Sequence, residues 1–147
     1  INTRFIELSG EINRGMPEWV VGKLMDALNE RGKPLKGSKI LILGIAYKKN
    51  IDDARESPAI KIMELLRDKG ADISYSDPHI PVFPKMRDHY FDLISRNLTP
   101  DNLSSQDACI VCTDHEMFDW DEIKKSSPLV IDCKNTYPSE AKTVVSA

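Results

Sequence analysis

The stretch 39-KILILGIAYKKNIDDARESPAIKIMELLRDKGADISYSDP-78 changes hydrophobic period twice, and those changes decide the fold. Residues 39–43 are a short aliphatic run that reads as a buried strand. Residues 59–69 place Ile60, Ile62, Met63, Leu65 and Leu66 at helical spacing. Ser57 suits the N-cap of that helix, and Pro58 its first position, where the missing amide hydrogen costs nothing; Gly70 ends it. Residues 71–76 give a second strand that stops at Asp77-Pro78. Strand, crossover helix and strand make a βαβ unit, which joins parallel strands.

Downstream, residues 92–96 form a candidate strand, Thr99 and Pro100 cap a short helix, and 108–113 is the most apolar strand of the second half. Asp119 and Glu122 resemble a capping box for a helix over 120–125, followed by a strand at 129–131. These elements predict an α/β domain with a mostly parallel sheet of about five strands and flanking helices. Such sheets bind ligands beyond the C-terminal ends of their strands, so residues 44–57, Asp77, Asp114 and Asp132 are expected to gather at that edge.

Upstream, Phe5, Leu8, Ile12, Met16, Val20, Leu24 and Leu28 recur every three or four residues and predict a long helix over 5–30. Pro17 predicts a kink or break near 15–17. Trp19, Val21 and Met25 supply apolar surface beyond what one small domain needs, as if this helix packs on another domain or subunit. Gly32, Pro34 and Gly37 mark its end, dividing the chain into a helical segment at 1–35 and an α/β domain at 36–147.

The 147 residues are 41% hydrophobic and 29% charged, the balance of a folded domain. With a net charge of −3 and interleaved signs, no broad nucleic-acid footprint is expected. No run approaches transmembrane length, so no membrane partner is expected either. Cys109, Cys112 and Cys133 lack zinc-ligand spacing and read as reduced thiols of a cytoplasmic protein. A start at Ile1 suggests a chain cut from a longer one.

Candidate chemistry concentrates after Gly44. Ile45 and Ala46 stand where a dinucleotide fingerprint has further glycines, and about a dozen residues separate strand from helix, so the loop is a poor pyrophosphate cradle. Lys48 and Lys49 can reach an anion, while Asp52, Asp53, Arg55 and Glu56 can hold the loop in one shape. Asp114-His115 has no nucleophile tied to it and reads as a structural or surface histidine. His79 and His89 share no metal-ligand spacing, so no metal is expected.

The runs 5-FIELSGEINRGMPEWVV-21, 44-GIAYKKNIDDARESPA-59, Asp77-Pro78, 113-TDHEMFDW-120 and 131-IDCKN-135 resemble, in order and spacing, the C-terminal half of the UDP-glucose/GDP-mannose dehydrogenase family. The helical segment looks most like the UDP-N-acetylhexosamine 6-dehydrogenases. The resemblance implies a Rossmann-like domain that binds a UDP-sugar, joined to a central helix that carries a homodimer contact. It also implies an N-terminal NAD-binding domain, and two successive oxidations of the sugar C6 hydroxyl through a thiohemiacetal and thioester on a catalytic cysteine. Neither the NAD glycines nor that cysteine has a match in these residues, and none of the three cysteines stands in its place. The resemblance therefore assigns no catalytic or cofactor-binding residue here and implies that the 147 residues are inactive alone. It gives Tyr47 and Lys48 to substrate contact, and Asp53, Arg55, Glu56 and Ser57 to shaping the loop. Lys134 falls where the family usually has a substrate-reaching arginine; it keeps a cation and loses the planar fork. The alternative is a non-catalytic oligomerisation or scaffold module derived from the same fold.

Overall fold

The computed structural model describes residues 2–55, 57–85, 91–137 and 143–147, with side chains of the first helix described from Met16 onward. Helix α1 spans Asn2–Glu30, β1 Lys39–Leu43, α2 Pro58–Asp68 and β2 Asp72–Ser76. Helix α3 (Pro100–Ser104), β3 (Ala108–Val111), α4 (Trp120–Ser126), β4 (Val130–Asp132) and β5 (Val144–Ser146) follow. The five strands lie in the order β2-β1-β3-β4-β5, and every neighbouring pair is parallel.

Strand periodicity sorts the core into two layers. Ile40 and Ile42 of β1 and Ile110 of β3 face the side covered by Val20, Leu24 and Leu28 of α1 and by Ile62, Met63 and Leu66 of α2. Leu41, Leu43, Cys109 and Val111 face the other side, against Leu103 of α3 and Ile123 of α4. Both faces of these strands are buried, which is why they read as unbroken aliphatic runs. Each fully buried aliphatic side chain contributes about 1.5–3 kcal/mol relative to exposure.

The expected caps are present. The Ser57 side chain accepts from the Ala59 amide with Pro58 opening α2, and Thr99 accepts from Asn102 with Pro100 opening α3. Asp119 caps α4 by accepting from the Glu122 amide at 3.1 Å. The reciprocal half of that capping box is absent, because the Glu122 carboxylate accepts the Ser126 hydroxyl at 2.6 Å instead.

Three expectations need correction. Of the kink or break expected at Pro17, the break does not occur: helix α1 runs on through it, since a proline removes one intrahelical bond and the remaining ladder carries the helix across. Val21 is 2% exposed and belongs to the core, whereas Trp19 and Met25 remain 58% and 41% exposed. Residues 92–96 do not form a sheet strand. Ile94 makes an isolated antiparallel bridge to Val82, the Ser95 amide donates to Pro81 O at 2.8 Å, and the Arg96 amide to Tyr75 O at 2.9 Å. The segment thus crosses the end of β2. The fifth strand is instead Val144–Ser146, paired with β4. None of the described helices is long and apolar enough to cross a membrane.

Candidate functional site

Because β2 and β3 flank β1 on opposite sides, the chain reverses direction across the sheet between β1 and β3. Parallel sheets open a crevice at such a point. The loops after β1 and β3 meet there. Gly44 leaves β1 at φ +83°, and a Cβ on it would lie 2.5 Å from Thr113 Cβ and 2.6 Å from Thr113 O. The glycine therefore permits contact between two loops and leaves no open face above it for a pyrophosphate.

From Gly44 onward the loop is pegged from below by buried groups. Asp77, 0% exposed at the end of β2, accepts from the Ile45 and Ala46 amides through Oδ2 at 2.8 and 3.2 Å, and from the His79 amide through Oδ1 at 2.8 Å. Its Oδ2 also lies 2.9 Å from His115 Nε2. Burial pushes the Asp77 carboxyl up, but the hydrogen bonds from His115, Ile45 and His79 outweigh it and hold the group below the ordinary carboxylate value. The Thr113 hydroxyl donates to Ala46 O at 2.7 Å. His115, also 0% exposed, accepts the Asn50 amide at Nδ1 at 2.7 Å, while Asn50 Oδ1 accepts the Glu116 amide at 3.0 Å.

Above these pegs, Tyr47, Lys48, Lys49 and Asn50 are exposed. The Lys48 ammonium lies 5.8 Å from the Tyr47 ring centroid. The Tyr47 amide donates to Asp53 O at 2.6 Å. Asp53 and Arg55 form a forked pair, with Nε to Oδ1 at 3.1 Å and Nη2 to Oδ2 at 2.9 Å, and the Arg55 hydrogen bond lowers the Asp53 pKa. Ser57 caps α2 with its hydroxyl 3.4 Å from Ala46 O. Glu56 lies outside the described residues, as does His89.

Lys134 stands on the loop after β4, two strands from β1. Its amide, with those of Thr136 and Tyr137, donates to the buried Asp132 carboxylate at 3.1, 3.1 and 2.8 Å. Asn135 takes φ +54° at the turn, and the Lys134 side chain is exposed. Asp77 and Asp132 therefore reach the expected sheet edge, but as buried anchors for backbone amides. Asp114 is half-buried there.

The loop is also held by Asp77, Thr113, His115 and Asn50, which sequence reasoning did not assign to it. Asn50 carried a signal, since its φ of +63° is a conformation that asparagine tolerates better than most residues. His115 is buried, so it is not the surface histidine that was one of the two expectations. Chemically, the edge presents lysines and an aromatic ring on a fixed backbone, a surface suited to an anionic, partly planar ligand. Cys109 and Cys112 are poorly set for nucleophilic work. Burial raises Cys109 to about 11, and Cys112 is raised by its hydrogen bond with Cys133 and by burial. Among the described residues no cluster of three His, Cys, Asp or Glu side chains could hold a metal.

The profile of the UDP-glucose/GDP-mannose dehydrogenase family, UDP binding domain, matches residues 41–139, which include the pegged loop and Lys134. The UDP-N-acetyl-D-mannosamine dehydrogenase of Methanococcus maripaludis is 34% identical over 142 residues, covering 91% of this chain and 31% of that protein. The UDP-glucose 6-dehydrogenase of Haloferax volcanii is 34% identical over 119 residues, covering 81% of this chain and 25% of that protein. The structure of the UDP-D-ManNAc dehydrogenase of Pyrococcus horikoshii superposes with a TM-score of 0.75 at 26% identity, over 96% of this chain and 32% of that one. That of the NDP-N-acetyl-D-galactosaminuronic acid dehydrogenase of Methanosarcina mazei superposes with a TM-score of 0.73 at 29% identity, over 95% and 30%. The chain spans about a third of the length of the relatives it matches.

Proposed function

This chain belongs to the UDP-glucose/GDP-mannose dehydrogenase family, and on that premise we propose that it serves as the nucleotide-sugar-holding domain of an NAD-dependent UDP-sugar 6-dehydrogenase. The observation that carries the reading is the loop at the β1/β3 crevice, where exposed Tyr47 and Lys48 sit on buried pegs within the segment matched as a UDP binding domain. In this reading the Lys48 ammonium faces diphosphate oxygens, the Tyr47 ring lies against the planar or sugar part, and Lys134 adds a second cation from the loop after β4. Asp53, Arg55, Glu56 and Ser57 shape the loop.

NAD does not fit this chain. Thr113 fills the space above Gly44, and side chains at Ile45 and Ala46 occupy the places where glycines would let a pyrophosphate approach. We assign NAD, and the cysteine that carries the acyl intermediate, to residues outside these 147, so the chain alone is expected to be inactive. The parent enzyme is read as cytoplasmic and as a homodimer joined through α1, whose Trp19 and Met25 are exposed. The relatives differ in sugar, and the reading covers UDP-N-acetylhexosamines and UDP-glucose alike.

Calorimetric titration of the chain tests the proposal. UDP or a UDP-sugar should bind weakly and NAD should give no binding heat. Tight NAD binding with no response to UDP overturns it. A scaffold role alone predicts UDP binding indifferent to Lys48→Ala.

A further inference from the structure

The exposed triplet of Tyr47, Lys48 and Lys49 is strung between two pins: the Tyr47 amide on Asp53 O at one end and the Asn50 amide on His115 Nδ1 at the other. The second pin fixes the state of a fully buried ring. A backbone N–H can only donate, so Nδ1 carries no proton. The proton is on Nε2, which donates to Asp77 Oδ2 at 2.9 Å. The ring is therefore a neutral imidazole of one tautomer, and its neighbours hold it in orientation. His79 lies on one side with ring centroids 4.6 Å apart, and Phe118 is 5.6 Å away. Asn50 closes the clasp by accepting the Glu116 amide, so residues 50 and 115–116 exchange hydrogen bonds in both directions.

We propose that His115 is a positioning residue for nucleotide-sugar binding: its Nδ1 atom, by accepting the Asn50 amide, sets where the Tyr47–Lys48 segment presents its cation and ring. The proposal rests on the binding role given above for Lys48. Its two nitrogens do different work. Nε2 joins the β3 loop to the buried Asp77 carboxylate, which also holds Ile45 and Ala46 at the start of the binding loop, whereas Nδ1 holds Asn50 directly beside the exposed triplet.

Two substitutions separate the nitrogens because of their side-chain lengths. His115→Asn places an amide oxygen near Nδ1 and leaves nothing near Nε2. His115→Gln places an amide nitrogen near Nε2 and leaves the Asn50 amide without its acceptor. In His115→Gln, UDP affinity should fall about tenfold, as the loss of one buried acceptor implies, and exchange of the backbone amides over 48–52 should accelerate at least as much, with a small change in urea midpoint. His115→Asn should show the reverse: a lower midpoint, with UDP affinity within about threefold of the parent chain. Equal losses of affinity in both variants, with exchange at 48–52 following global stability, would assign His115 to folding alone.

Two readouts need no ligand. Nitrogen NMR of the parent chain should show the His115 proton on Nε2; a proton on Nδ1 overturns the proposal even where neither variant folds. If the parent chain binds no UDP, the binding reading fails, and amide exchange in the variants still decides whether Nδ1 positions the loop.

Discussion

Gly44 and Thr113 meet at the point where the sheet reverses, so closely that any Cβ at position 44 would lie 2.5 Å from the Thr113 Cβ. A glycine at the end of the first strand of a parallel sheet invites a reading as a phosphate-binding turn. Here it serves the joining of two loops. Gly44→Ala must place a side chain at φ +83° and push back the Thr113 backbone, which together should cost about 3 kcal/mol. Urea unfolding should show that loss. UDP affinity should fall as well, since Thr113 also donates to Ala46 O. An unchanged unfolding midpoint would mean that the two loops are free to separate.

The β1-α2-β2 unit was legible in the sequence because its signals are local: Ser57-Pro58 opens a helix and Gly70 closes it wherever they occur. The assignment of the outer strands was not. Residues 92–96 and 144–146 are both short and partly apolar, and only the neighbour each meets decides between them. Val144 finds a free edge on β4, while Arg96 and Ser95 are drawn across the end of β2 by Tyr75 O and the Asp77 amide. The site divides in the same way. Lys48 stood out as a cation able to reach an anion, while Tyr47 and Lys134 came from the resemblance alone. The contributions of Asn50, Asp77 and the Thr113–His115 pair required strand order, because these three places lie more than twenty residues apart and meet only once β2 and β3 are placed on either side of β1.

Asp77 makes the loop sensitive to acid. Its carboxyl is held below the ordinary value of 3.8 in the folded chain, by hydrogen bonds that outweigh burial. A folded value below the unfolded one means that the associated stability is fully present above the ordinary value and is lost as pH falls through the folded one. The urea midpoint should therefore drop on going from about pH 6 to about pH 3. Asp77→Asn should flatten part of that slope while lowering stability at neutral pH by about 2 kcal/mol, because an amide turns its NH₂ toward donors. A variant with the parent's acid slope would place the acid sensitivity elsewhere.

The charged residues of the loop should separate cleanly in function. Arg55 and Asp53 form a forked pair with side chains 83% and 41% exposed, a setting in which ion pairs contribute little. Arg55→Ala should leave the thermal midpoint within error. Lys48→Ala should likewise leave stability unchanged, yet lower UDP affinity about tenfold, the scale of one charge-assisted contact to phosphate. Calorimetry on the two variants measures both effects. Equal UDP affinity in the parent chain and Lys48→Ala would remove Lys48 from the ligand and favour a scaffold role.

Lys134 offers the converse experiment, in which affinity should rise. Its backbone is already fixed, with the amide held by the buried Asp132 carboxylate and the turn completed by Asn135 at φ +54°. The side chain is exposed at the sheet edge, which leaves room among the described residues for a larger head group. Lys134→Arg replaces a single ammonium with a planar fork that can bond two oxygens at once, without changing net charge. UDP-sugar affinity should increase about three- to tenfold, with a smaller gain for uridine, which lacks the phosphates. The comparison of the two ligands locates the contact. An equal gain for both would place residue 134 near the nucleoside, and no gain for either would mean that this loop, though pegged at the same edge, faces away from the ligand.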